Sequence, residues 1–120
     1  MIRTICTLAF LAIAMAARAA PLALHSTYDV AGTNPDGSKY TGRATIKVIS
    51  EASFTIKWTI GGALYEGFGM RDGNALAATY TINGKPGLVI YRVDDDGVFH
   101  GLWVVRGGND GGTERLTPND

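Results

Sequence analysis

From Thr27 onward the chain alternates apolar and polar residues with a period of two, in short runs separated by glycine-centred turns. Such alternation puts successive side chains on opposite faces of a strand. The clearest run sets Phe54, Ile56, Trp58 and Ile60 against Thr55, Lys57 and Thr59, and the first group is expected to line a core. Before it, Ala44, Ile46 and Val48 alternate with Arg43, Thr45 and Lys47, the pattern of a half-buried strand. Gly61-Gly62 suits a two-residue hairpin turn, because glycine accepts the positive φ of primed turns. It delivers the chain into a partner strand from Ala63 to Met70. Further strands are predicted at Thr27 to Ala31, Ala75 to Ile82, Leu88 to Val93, Val98 to Val105 and Thr113 to Leu116. Between them lie Asn34-Pro35-Asp36-Gly37, Ser50-Glu51-Ala52, Arg71-Asp72-Gly73-Asn74, Asn83-Gly84-Lys85-Pro86, Asp94-Asp95-Asp96-Gly97 and the loop from Gly107 to Gly112, all rich in turn formers.

Connections this short join neighbours in space, so the predicted fold is all-β: a small antiparallel up-and-down barrel of about eight strands. Strands of about six residues make a short barrel, and Phe54, Ile56, Trp58 and Ile60 are expected to fill it. A weak repeat supports the curvature: Tyr40-Thr41-Gly42, Tyr65-Glu66-Gly67 and Phe99-His100-Gly101 each set an aromatic two positions before a glycine, on the same face. The aromatic beside each glycine is expected to cover the gap. Phe68 and Met70 share a face with Leu64 and Glu66, opposite Tyr65, so an inward Tyr65 implies an exposed apolar strip.

The segment ahead of this pattern reads differently. Arg3 precedes a mostly apolar stretch from Ile5 to Ala17, and Ala17-Arg18-Ala19 offers small residues at both positions that a signal peptidase reads. Residues 1–19 are therefore expected to be a cleaved signal peptide and residues 20–120 a single barrel domain, periplasmic or secreted. The one cysteine, Cys6, falls within the leader, so stability must come from packing and a complete hydrogen-bond ladder. The chain carries 11 basic and 11 acidic residues, and loss of Arg3 and Arg18 leaves 11 − 2 = 9 basic against 11 acidic, a net of about −2. No basic stripe suggests nucleic acid. Lys47 and Lys57 on the outward face argue against an outer-membrane span.

Candidate chemistry is sparse. Asp94, Asp95 and Asp96 resemble a calcium loop only in part, since Arg92 and Trp103 stand where further acidic ligands belong; a solvated turn is expected. One glycine-rich loop is too few for a stacked calcium repeat. His25 lies near the start of the mature chain, and His100 is expected to point inward or sit at a rim. The serines occupy turns and ends, outside any nucleophile elbow, and Glu66 and Glu114 pair only if the fold happens to bring them together. Neither an enzyme nor a metal or other cofactor is expected. Trp58, Tyr65 and Trp103 are the candidate ligand-binding residues, since tryptophans on barrel strands often floor a pocket.

Tyr28-Asp29-Val30, the stretch Gly32-Thr33-Asn34-Pro35-Asp36-Gly37-Ser38, Tyr40-Thr41-Gly42, Gly73-Asn74-Ala75-Leu76, Gly101-Leu102-Trp103 and Gly112-Thr113-Glu114-Arg115-Leu116 together resemble a family of small exported bacterial β-proteins, largely uncharacterised. Some relatives are labelled fibronectin-binding, so the resemblance implies an extracellular-matrix partner but no particular site. The chain is more loosely similar to avidin-like and lipocalin-like barrels through Gly101-Leu102-Trp103; in lipocalins that triplet marks the first strand, whereas here it falls on the seventh. Three functions follow as expectations. The first is an exported binding protein for a macromolecule such as fibronectin. The second is a carrier of a small apolar ligand, and the third an inhibitor of an envelope or host hydrolase acting through the loop from Gly107 to Gly112.

Overall fold

The computed structural model describes residues 23–120; the expected signal peptide lies outside them. Eight strands follow one another: β1 (Thr27–Thr33), β2 (Lys39–Val48), β3 (Ser53–Ile60), β4 (Ala63–Asp72), β5 (Ala75–Ile82), β6 (Lys85–Val93), β7 (Phe99–Val105) and β8 (Gly112–Pro118). Each pairs antiparallel with the next, and β8 returns to pair with β1, closing an up-and-down barrel. Closure leaves no strand edge unpaired, which stands in for the disulfides this domain lacks. Among the described residues no buried side-chain nitrogen or oxygen is left without a hydrogen-bond partner.

The turns act locally as their residues dictate. Gly61 and Gly62 have φ of 58° and 80°, and Asn83 and Gly84 have 50° and 76°, so both pairs form turns with positive φ at both central positions. Because Asn83-Gly84 suffices, β6 starts at Lys85 rather than Leu88. The strands run seven to ten residues, longer than the six expected.

The period-two pattern sorts the two faces. Phe54, Ile56 and Trp58 are buried as predicted, and Ile60 is half-buried at the rim. Val48 ends its strand exposed, beyond the packed interior. The inward face of β4 carries little bulk beyond Tyr65: Gly67 and Gly69 follow it, and the rings of Trp58 and Phe54 from β3 lie over them.

That arrangement recurs around the barrel. Tyr40 covers Gly32, Tyr80 covers Gly87, Tyr91 covers Gly101 and Trp103 covers Gly112, each from the adjacent strand. The sequence repeat had assigned the covering ring to the same strand. The structure instead puts Ile60 over Gly42, Trp58 over Gly67 and Tyr91 over Gly101, because inward side chains on a tightly curved sheet lean onto the neighbouring strand.

The interior divides into two halves. Tyr28, Phe54, Leu76, Phe99 and Leu116 are buried at the end that carries the β2–β3, β4–β5 and β6–β7 turns, and they plug it. Tyr28 and Phe99 rings are 4.9 Å apart, and Tyr91 and Phe99 5.3 Å. Outside this end, the Asp120 carboxylate accepts bonds from the Ser26 N–H at 2.9 Å and the Ser26 hydroxyl at 2.7 Å, and lies 2.7 Å from His25 Nδ1.

The glycine–aromatic pairs set an expected outcome. A methyl group at Gly112 would collide with both the Trp103 ring and the Thr33 carbonyl oxygen, whereas for one at Gly87 the nearest atoms all belong to the half-buried Tyr80 ring, which can swing. Gly112→Ala should therefore lower stability by about 1–3 kcal/mol and Gly87→Ala by less, a difference readable as several degrees in thermal melting.

Candidate binding cup

The other end of the barrel stays open. Its side chains, from positions near the β1–β2, β3–β4, β5–β6 and β7–β8 turns, surround a cavity of about 180 Å³. Asn34, Tyr40, Trp58, Ile60, Tyr65 and Tyr80 line it, together with Ile82, Val89, Trp103 and Glu114. The expectation that inward residues fill the barrel thus holds for the Phe54 half and fails for the Trp58 half. The reason is that four of the five large rings here, Tyr40, Trp58, Tyr80 and Trp103, lie back against glycines of adjacent strands rather than across the axis.

Trp58, Tyr65 and Trp103 all line this cup. Trp58 is buried on its floor, with the Tyr80 ring edge-on at 5.5 Å; Tyr65 and Trp103 are half-buried on its sides. Trp103 stands 6.4 Å from Tyr40 and donates its indole N–H to the Thr113 carbonyl at 3.2 Å.

Sequence reasoning missed the polar centre of the cup. Glu114 is 7% exposed, the one charged side chain buried among the described residues. Its Oε1 accepts the Tyr40 hydroxyl at 2.9 Å; its Oε2 accepts the Trp58 indole N–H at 3.1 Å and the Tyr91 hydroxyl in a short bond. The Trp58 N–H is shared with Tyr91 Oη at 3.2 Å. A signal was available: Gly112, Glu114 and Leu116 alternate on β8, so an inward Leu116 brings Glu114 inside with it. Glu66 points outward, where Lys57 Nζ lies 3.8 Å away, so the two glutamates occupy opposite faces and never meet.

The electrostatics are set by burial. Desolvation raises the Glu114 pKa, and the bonds from Tyr91, Tyr40 and Trp58 pull it back only in part. Tyr91 and Tyr40 are raised by burial first and by the nearby Glu114 charge second, and Tyr80 is pushed up to about 12 by the same causes. No lysine, arginine or histidine lines the cup.

The other candidates fall elsewhere. His100 points outward rather than inward, at the rim beside the β6–β7 turn, half exposed, with Nε2 2.8 Å from Asp94 Oδ2. It lies on the face of β7 that holds Leu102 and Val104, because Phe99 and Gly101 take the inward positions. Asp94 closes its turn by accepting the N–H groups of Asp96 and Val98 at 2.9 and 3.0 Å, a solvated turn as expected. Outside the barrel, Phe68, Met70, Leu88, Ile90, Leu102 and Val104 are all exposed and neighbour one another across β4 to β7, a wider apolar face than the predicted strip.

This is the class of closed eight-stranded up-and-down barrels with one end plugged and one end cupped. Solved structures of the same fold include a redesigned β-barrel, with a TM-score of 0.68 and 18% identity over 81% of this chain and 92% of that one. A de novo designed fluorescence-activating β-barrel gives 0.62 and 14% over 80% and 94%. EF1p2_mFAP2b bound to DFHBI gives 0.59 and 18%, again over 80% and 94%. No family model and no curated protein matches the chain.

The raised carboxyl makes a pH test of the site. A folded-state pKa above the unfolded one means that Glu114 favours the fold most below about 4.5 and that this contribution is lost as pH rises through the raised value. Asp36, Asp94 and Asp120 are lowered, chiefly by hydrogen bonds, so their contributions disappear instead as pH falls below about 3.8. Melting of wild type and Glu114→Gln across pH 4–8 should show the wild type losing ground steadily to the variant as pH rises.

Proposed function

We propose that this protein is a non-enzymatic binding protein that holds a small ligand in the open end of its barrel. The observation that carries the reading is the cup itself: a walled cavity, half of its lining residues aromatic, with one buried charged group among them. At about 180 Å³ it is smaller than the roughly 300–1,000 Å³ of ordinary small-molecule sites, so it suits a compact ligand or the head of a longer one. That EF1p2_mFAP2b is bound to DFHBI lends support by fold. Export, from the leader-like residues 1–19, is part of the proposal.

Binding is tested by intrinsic tryptophan fluorescence and calorimetry against a panel of metabolites and apolar compounds. Trp103→Ala and Tyr65→Ala, each removing one aromatic wall, should weaken the ligand about 5- to 100-fold, as loss of a stacked ring does. Lys47→Ala, on the outward face of β2, should leave affinity unchanged. A panel without a saturable response would sink the reading.

A second reading rests on the outer face. Phe68, Met70, Leu88, Ile90, Leu102 and Val104 expose contiguous apolar surface of the kind that meets a protein partner, which supports the macromolecular alternative and fibronectin as its probe. The double substitution Phe68→Ser with Leu102→Ser should abolish capture by immobilised fibronectin, while Tyr65→Ala, which alters only the cup, retains it. Capture that survives the double substitution removes this reading.

A further inference from the structure

We infer, resting on the small-ligand reading, that the cup takes a compact organic cation, an alkylammonium group held against the Glu114 carboxylate and enclosed by aromatic rings. The first ground is the hydrogen bonding of Glu114. A carboxylate has about four acceptor sites. Oε2 uses two, for Trp58 and Tyr91, and Oε1 accepts the Tyr40 hydroxyl, so one site on Oε1 is left for a ligand. All three partners donate, an arrangement that holds the charge without cancelling it.

The second ground is charge. Burying an anion is costly unless a cation accompanies it. Close contacts between basic and acidic side chains include His25 with Asp120, Lys57 with Glu66 and His100 with Asp94, while the partners of the Glu114 carboxylate are the neutral donors Tyr40, Trp58 and Tyr91. The lining residues supply no cationic side chain, so a bound cation would be the first opposite charge in the cup.

The third ground is the wall. Tyr40, Trp58, Tyr65, Tyr80 and Trp103 put five π-systems around a cavity the size of a small head group. Rings of this kind attract a cation electrostatically, most strongly when it is desolvated, and methylated ammonium groups shed water more readily than bare ones. An anionic ligand would face Glu114, and a purely apolar one would leave the open Oε1 site unpaired.

The ammonium could belong to a free metabolite or to a lipid headgroup, and the test separates these sources. Calorimetry of the intact protein compares choline with 3,3-dimethylbutan-1-ol, which has nearly the same shape and no charge; phosphatidylcholine vesicles form a sedimentation arm. The expected result is choline binding at least about tenfold tighter than the alcohol. It should strengthen as pH rises and Glu114 ionises: of the other titratable groups that face it, Tyr40 from β2, Tyr80 from β5 and Tyr91 from β6 are raised and stay neutral across that range, and Tyr65 from β4 completes the set. Glu114→Gln keeps one acceptor oxygen, for Trp58 and Tyr91, and turns the side facing the Tyr40 hydroxyl into an amide N–H that this hydroxyl can accept; it should cost choline about 10- to 100-fold while leaving the alcohol much less affected, which shows the cup still folded.

Co-sedimentation with vesicles, lost in Glu114→Gln, together with choline binding assigns the headgroup source; choline binding without it assigns a free cation. Alcohol binding equal to or tighter than choline overturns the cation inference and leaves the small-ligand reading standing. Failure of choline, alcohol, vesicles and the wider panel together overturns both.

Discussion

The barrel depends on a steric bargain between neighbouring strands, in which a large inward ring lies where the next strand has only a glycine hydrogen. An eight-stranded barrel has an interior just wide enough for side chains, and the nine inward aromatic rings Tyr28, Tyr40, Phe54, Trp58, Tyr65, Tyr80, Tyr91, Phe99 and Trp103 converging on one axis would overfill it. Here Tyr40, Phe54, Trp58, Tyr80, Tyr91 and Trp103 each lie over an inward glycine of an adjacent strand. The rings follow the wall, the sheet bends where the glycines are, and curvature and packing become one constraint. Any residue but glycine at these sites would push a ring inward or the strands apart.

The two ends of the barrel use this constraint differently. At the plugged end Tyr28, Phe99, Leu76 and Leu116 fill the axis that the wall-hugging rings leave free, so burial is complete. At the open end the only inward group near the axis on β8 is Glu114, whose carboxyl is short, hydrated badly and held by Tyr40, Trp58 and Tyr91. Those three bonds have two consequences. They keep the buried carboxyl from being an unsatisfied polar group, and they fix Trp58 and Tyr40 in the positions that shape the cavity. The floor of the cup is therefore organised by the same residue that gives it its charge.

Much of the fold could be read from alternation alone, because period two is a local property: the inward set of β3 and the antiparallel hairpin at Gly61-Gly62 follow from adjacent residues. Closure of β8 on β1 and the cup are not local. Trp58, Tyr65 and Trp103 could be picked out as large aromatics on strands, yet their convergence depends on the register across the whole barrel. The burial of Glu114 is hidden because a lone glutamate among polar neighbours, Thr113 and Arg115, looks solvent-facing until the inward phase of β8 is set by Leu116. The outward direction of His100 is hidden for the complementary reason: the phase of β7 is fixed by Phe99 and Gly101 together, and a histidine between them must face out.

The outer surface completes the account of how one sequence pattern serves two faces. On β2 and β3 the outward positions hold Arg43, Thr45, Lys47, Thr55, Lys57 and Thr59, as an isolated soluble barrel would have them. On β4 to β7 they hold Phe68, Met70, Leu88, Ile90, Leu102 and Val104. Closure needs none of these apolar side chains, since the inward faces of the same strands already carry the packing. An interior that packs without them, and a surface that exposes them on one side only, separate the forces that build this barrel from those available to bring it to something else.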